Sequence, residues 1–175
     1  MSVEEGNTEI TNYVSYNYAE DLWSVGTLDR GAWQGVGTQN FPMATSVNND
    51  TSTANYLYYH ENGFDDDGSA MTAFVESGDL ELQEGERFMM VSRIIPDFAF
   101  SGATSDASIS MTMKGSDFPL ETPTTLSTST ITNSSTQSFI RARSRHQIVR
   151  VESSGLGYGW RLGDLRFDIR PDGRR

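Results

Sequence analysis

Apolar and polar residues alternate along most of this chain, while the three-to-four-residue spacing of an amphipathic helix is scarce. Tyr13, Ser15 and Asn17 alternate with Val14, Tyr16 and Tyr18, and Leu22-Trp23-Ser24-Val25 follows a polar Ala19-Glu20-Asp21 turn, so the two runs predict a hairpin. Residues 55–60 (NYLYYH) predict a strand between Asn48-Asn49-Asp50 and Asn62-Gly63, and residues 71–77 (MTAFVES) predict another. The run 88–95 (FMMVSRII) is nearly all apolar, as in a strand covered on both faces. Pro96 closes it, because proline has no N–H to give a ladder. Ala107, Ile109, Met111 and Met113 alternate with Ser108, Ser110 and Thr112. Strands at 137–143 and 146–152 flank a short turn containing Ser144, and 158–162 and 165–170 complete the set.

About ten strands with turn signals every 8–12 residues predict an all-β fold, an antiparallel β-sandwich or a barrel-like closure. One segment stands apart: in residues 122–138 (TPTTLSTSTITNSSTQS), 12 of 17 are Ser or Thr. That composition suits a flexible linker or loop, while its Thr and Ile content also suits a long hairpin arm ordered by a neighbouring subunit. A mobile or partner-ordered loop is the expectation.

Length and composition then remove whole classes of chemistry. The 175 residues suit one domain, or one domain and a fragment of another. Cysteine is absent, which excludes disulfides, thiolate metal sites and a cysteine nucleophile. With His60 and His146 alone, no site within one chain can hold three histidines. Mean hydropathy is -0.48, and no apolar run is long enough for a transmembrane helix. The acidic, polar start MSVEEGNTEI is no signal peptide, so a soluble, non-secreted protein without membrane insertion is expected.

Net charge is -11, but its distribution is uneven. Residues 141–175 carry nine arginines against four acids, a balance of +5, which leaves four basic and 20 acidic groups, -16, in residues 1–140. Such a split marks either a nucleic-acid arm or a self-complementary assembly, unless the arginines simply fold against acids of the same chain. In a strand, Arg141, Arg143 and Arg145 share one face, where planar guanidiniums can hold carboxylates or phosphates. Phe139 is the one nearby aromatic, so the stacking platform of a single-strand binder is weak, and the acidic remainder repels a polyanion. An acidic partner, in the same chain or in another subunit, is the expectation.

Catalysis finds little support. Asp65-Asp66-Asp67 and His60-Glu61 fail the calcium-loop template, whose first and twelfth positions would be Gly63 and Phe74, so a solvated acidic loop is expected and no metal. No nucleophile elbow is present. Glu76, Asp79, Glu81, Glu84 and Glu86 are too dense to single out a glycosidase pair. The glycines in 154–159 (SGLGYG) lead into a strand and read as turn residues, not as a phosphate loop. No cofactor is expected.

Two stretches carry a resemblance. The first is 13–33, with Tyr16-Asn17-Tyr18, Trp23 and Gly26-Thr27-Leu28-Asp29-Arg30-Gly31-Ala32-Trp33. The second is 139–175, with Arg141, Arg143, Arg145, then Ser153, Gly157, Trp160, Leu162-Gly163, Asp168-Ile169 and Asp172 to Arg175. Together they resemble the C-terminal region of the tail nozzle (tail tubular) proteins of short-tailed phages. Tyr59-His60-Glu61 with Gly63, and Ile95-Pro96-Asp97, are similar to that family as well. Many propeller blades share the strand–turn–Trp pattern, so residues 1–35 are expected as a hairpin resembling the end of a blade, and 36–175 as a sandwich-like domain. Ser144 stands where the family usually has glycine, a departure that disfavours a tight turn there. Family members are several times longer, which leaves two expectations open: a separately encoded fragment, or a shortened tail protein that uses this module alone.

The resemblance implies a non-enzymatic virion structural protein, assembled in the host cytoplasm. It would form a ring, six-fold in the nozzle case, with other tail components (adaptor, portal-proximal or tip) as partners and DNA only as transient cargo. Acids near a bore would repel DNA, though only within about 8 Å at physiological salt. Arg141, Arg143, Arg145, Arg174 and Arg175 would then be intersubunit contacts. Trp23, Trp33 and Trp160 are candidate core anchors, each able to bury 150–250 Å², worth about 4–6 kcal/mol as an upper bound. The runner-up is a receptor- or carbohydrate-binding module at the tail tip, which exposed tryptophans would favour.

Overall fold

The computed structural model describes residues 11–47, 55–103 and 105–173, and they are all-β. The chain divides into two compact units, residues 1–63 and 64–175. The first holds β1 (Asn12–Asn17), β2 (Leu22–Thr27), β3 (Arg30–Gln34), β4 (Met43–Ser46) and β5 (Leu57–Tyr59). The second holds β6 (Ala73–Glu76), β7 (Leu80–Glu81), β8 (Met89–Ile95), β9 (Phe98–Gly102), β10 (Ser108–Ser116), β11 (Thr124–Thr132), β12 (Ser138–Ser144), β13 (His146–Ser153), β14 (Tyr158–Leu162) and β15 (Arg166–Pro171). The expected division after residue 35 moves to Gly63, because β3 pairs with β4 and β4 with β5, which ties residues 36–63 to Trp33.

In the first unit, β1 and β2 form the expected hairpin, with Tyr16 opposite Trp23 and Val14 opposite Val25. Asn17 Oδ1 accepts from the Ala19 and Glu20 amides, and Asp21 takes a left-handed conformation (φ 55°), so the polar turn is built by side-chain capping. On the opposite face, the Tyr13 ring lies across Gly26, where a methyl would come within 2.6 Å of it.

In the second unit, two sheets face each other. One has the order β11-β10-β13-β6, with β7 also on β13; the other has the order β12-β8-β15. A two-stranded ribbon, β14-β9, adds Phe98, Phe100 and Trp160 to the margin of the core. Met89, Val91, Ile94, Ile140 and Ala142 from one sheet meet Ile109, Met111, Met113, Ile131, Val149 and Val151 from the other. The arrangement is sandwich-like, with no closed barrel.

Three expectations change here. Residues 122–138 are no loop or partner-ordered arm: 124–132 form β11, paired along β10, with Ile131 in the core. Thr is β-branched and packs well on a pleated sheet, so a composition that looks like a linker still makes a strand. The short turn expected at Ser144 moves to Arg145: Ser144 is the last residue of β12, and because β12 and β13 lie in different sheets, the chain crosses between the sheets at Arg145. Of the proposed core anchors, Trp160 packs against the core and donates from Nε1 to Ser153 Oγ at 2.7 Å. Trp23 is 69% exposed and Trp33 43% exposed. Trp23 sits on a hairpin that pairs with no third strand among the described residues, and Trp33 rests on the His60 ring at 4.6 Å.

Ser144 also explains a glycine. Its side chain is buried, its hydroxyl donates to the His146 carbonyl at 2.7 Å, and it occupies the space over Gly115 on β10. A methyl at 115 would overlap the Ser144 hydroxyl and approach Leu126 Cδ1 to 2.6 Å. Overpacking of this kind costs about 1–3 kcal/mol. Gly115→Ala is therefore expected to lower stability by about that amount in urea unfolding. Adding Ser144→Gly should recover part of the loss; strictly additive effects would show that the two positions do not share this space.

Candidate functional site, an arginine-lined sheet face

Strand alternation in β12 buries Ser138, Ile140, Ala142 and Ser144 and exposes Phe139, Arg141 and Arg143. The register carries this face across the sheet: Phe139 is opposite Arg93, Arg93 opposite Asp168, and Arg143 opposite Met90, which is opposite Arg170. Phe167 points into the core, so Arg166 and Asp168 on either side of it face outward. Five arginines (93, 141, 143, 166 and 170) thus share one outer face with Phe139, which is 73% exposed.

Two of the five meet carboxylates of the same chain. Arg93 donates from Nε and Nη2 to Asp168 Oδ2, each at 2.7 Å, and from Nη1 to Gln137 Oε1 at 3.2 Å. Arg143 pairs with Asp172 Oδ2 through Nε and reaches the Asp172 carbonyl through Nη2 at 3.2 Å, with its guanidinium 4.0 Å from the Phe88 ring centre. Among the described residues, the Arg141, Arg166 and Arg170 side chains hold no ion pair or hydrogen bond. Five arginines against two carboxylates leave a surplus of three positive charges.

The expectation that Arg141, Arg143 and Arg145 share a face holds for the first two. Arg145 lies past the end of β12 at the sheet crossing, half-buried, with its guanidinium 5.1 Å from the Phe88 ring centre. For Arg143, the acidic partner is intrachain. Arg174 and Arg175 lie outside the described residues. The sequence reading missed Arg93, Arg166 and Arg170 because their membership depends on which strands are neighbours. The local signal was present in the alternation Arg166, Asp168, Arg170.

The outer face of the other sheet is charged differently. Glu76 Oε2 accepts from Lys114 Nζ at 2.7 Å and from Arg150 Nη1 at 3.2 Å, and Arg150 also pairs with Glu152 while its guanidinium stacks 3.9 Å from the Phe74 ring centre. These charges satisfy one another. Lys114, and next Arg150, hold the Glu76 carboxyl below its ordinary value of 4.5, and Glu152, followed by Glu76, holds Arg150 more firmly protonated than an isolated arginine.

Three further candidates of the sequence reading have partners within the chain. His60 Nε2 accepts from Arg30 Nε at 3.3 Å. His146 Nδ1 lies 3.2 Å from Glu81 Oε2. Asp65 Oδ1 accepts from the Gly157 amide at 2.7 Å, tying the acidic loop to the SGLGYG turn. No family model matches the chain and no curated protein matches it.

Because the folded state lowers the Glu76 pKa, its contribution to stability is present above the unfolded value and is lost as pH falls through the folded one. Melting temperatures of wild type and Glu76→Gln should therefore differ at neutral pH and converge as pH falls below about 4.5. A constant difference down to the most acidic buffer would mean that the variant acts through something other than this charge.

Proposed function

We propose that this chain is a structural subunit of a short-tailed phage tail, joined to further copies of itself through the arginine-lined sheet face. The observation that carries the reading is a solvent-facing sheet with three surplus positive charges on a chain of net charge -11. Such a chain repels a polyanion as a standing partner but attracts its own acidic regions, and two different patches on one subunit generate rings when the rotation closes. The similarity of residues 13–33 and 139–175 to tail nozzle proteins supports the same reading, as does an all-β architecture suited to a ring wall.

Light scattering with negative-stain images of the purified chain tests it. A ring of several subunits at low salt, loosening as salt rises, is the expected result, because exposed charges are screened over about 8 Å at physiological ionic strength. Joint substitution of Arg141, Arg166 and Arg170 by Ala should shift the equilibrium towards monomer. Assembly unaffected by both salt and these substitutions would overturn the arginine face as the joint.

One observation favours a second reading, receptor or carbohydrate binding. Tyr16 and Trp23 stack at 4.6 Å with their planes 30° apart on an exposed hairpin face, a surface on which a sugar ring could lie. Glycan-array binding that disappears in Trp23→Ala would establish it; no binding to any glycan would remove it.

A further inference from the structure

The outer face of the five-stranded sheet ends in a cleft of about 410 Å³. Its floor is the row Thr130–Ser110–Glu152 across three neighbouring strands, and its walls include Asp106, Ser108 and Leu156. Hydroxyl and carboxylate oxygens, which accept hydrogen bonds, share the lining about equally with apolar surface. The Glu152 carboxylate is engaged by Arg150, whereas Asp106 is exposed and holds no ion pair or hydrogen bond among the described residues. Leu156, 53% exposed, gives one wall an apolar surface.

The complementary shape lies on the opposite side of the same sandwich. Arg141 projects from β12, an edge strand, and its guanidinium has five donors and, among the described residues, no acceptor. Phe139 is two residues away on the same face, about 7 Å along the strand. An arginine beside an exposed aromatic matches a carboxylate beside an exposed leucine. An exposed ion pair alone is worth about 0–1 kcal/mol, so the apolar neighbours and the confinement of the cleft are what make this contact more than a passing encounter.

We propose that Arg141 of one copy seats in the Asp106 cleft of the next, with Phe139 against Leu156. The inference rests on the self-assembly reading and names the two patches that reading needs. Because Arg141 and the cleft lie on opposite outer faces of one sandwich, a chain cannot satisfy its own contact. The joint runs head to tail, which produces rings or open filaments but not a closed two-fold dimer.

A charge swap tests it on the full chain, with light scattering as the readout and circular dichroism to confirm the fold. Wild type should assemble, while Arg141→Asp and Asp106→Arg should each fall to the monomer mass of 19.4 kDa. Combining both substitutions in one chain should restore the wild-type assembly, as should mixing the two single variants in equal amounts. If wild type assembles and the single variants do too, this contact is overturned and the assembly reading stands. Single variants that fail without rescue by the double variant also overturn the pairing, since each residue then meets some other group. A wild type that stays monomeric at every concentration overturns both.

Discussion

The apolar residues of β8 and β12 must share one layer with those of β10, β11 and β13, and that requirement decides which side of every strand in the second unit meets water. Met89, Met111 and Met113 are each 1% exposed, and burying such a side chain is worth about 1.5–3 kcal/mol. A one-residue slip would send that whole row outward. Surface charge pairs, at about 0–1 kcal/mol each, cannot compete with this. The arginines are therefore exposed because Ile140 and Ala142 are buried, not because ion pairs draw them there. The same layer explains the crossing at Arg145: Ile140, Ala142 and Ser144 point inward from one sheet, Gln147, Val149 and Val151 from the other, and a single residue carries the chain between them. Gln147 marks the seam. It is wholly buried, and its Nε2 donates to the carbonyls of Met89 at 2.8 Å and Ala142 at 3.2 Å, so a β13 side chain bridges to two of the three strands of the facing sheet, β8 and β12.

Among the described residues the first unit has no comparable layer. Pro42 and Ala44 are the buried ones there, while Val14, Tyr16, Trp23 and Val25 are all exposed on a single face of a two-stranded hairpin. Isolated hairpins are marginal in water. This one is held by the Asn17-capped turn, the Tyr16–Trp23 stack, the Tyr16 hydroxyl donating to Asp21 at 2.8 Å, and Tyr13 lying over Gly26. Local interactions thus specify its shape, and its aromatic face remains open to a partner.

Legibility followed the same division. Where alternation was strong and apolar, as in 88–95, 107–113 and 146–152, the sequence marked β8 and β13 to within a residue and β10 to within three, because the pattern that builds the core is the pattern that can be read. It failed at β11, where Ser and Thr satisfy sheet geometry without hydrophobicity, and at short β3, β4, β7 and β9. β4, for example, has only Met43, Ala44, Thr45 and Ser46 from which to show a period. Arg141 was legible as an exposed residue of a strand. The full arginine face was not, since Arg93 and Arg141 are 48 positions apart and only non-local pairing through β8 unites them.

Charge segregation along the chain therefore becomes charge segregation in space only in part. Arg150 is absorbed by Glu76 and Glu152, and Arg143 by Asp172, so intrachain pairing neutralises part of the basic tail. What survives includes three arginine side chains on one sheet face that meet no carboxylate among the described residues and, in the cleft beside the other sheet, the Asp106 carboxylate, which meets no cation there. The core between the two sheets keeps Arg141 away from the Asp106 cleft of its own chain. The residual charges are therefore a consequence of the architecture, and a neighbouring copy is the simplest molecule that carries both halves of the complement.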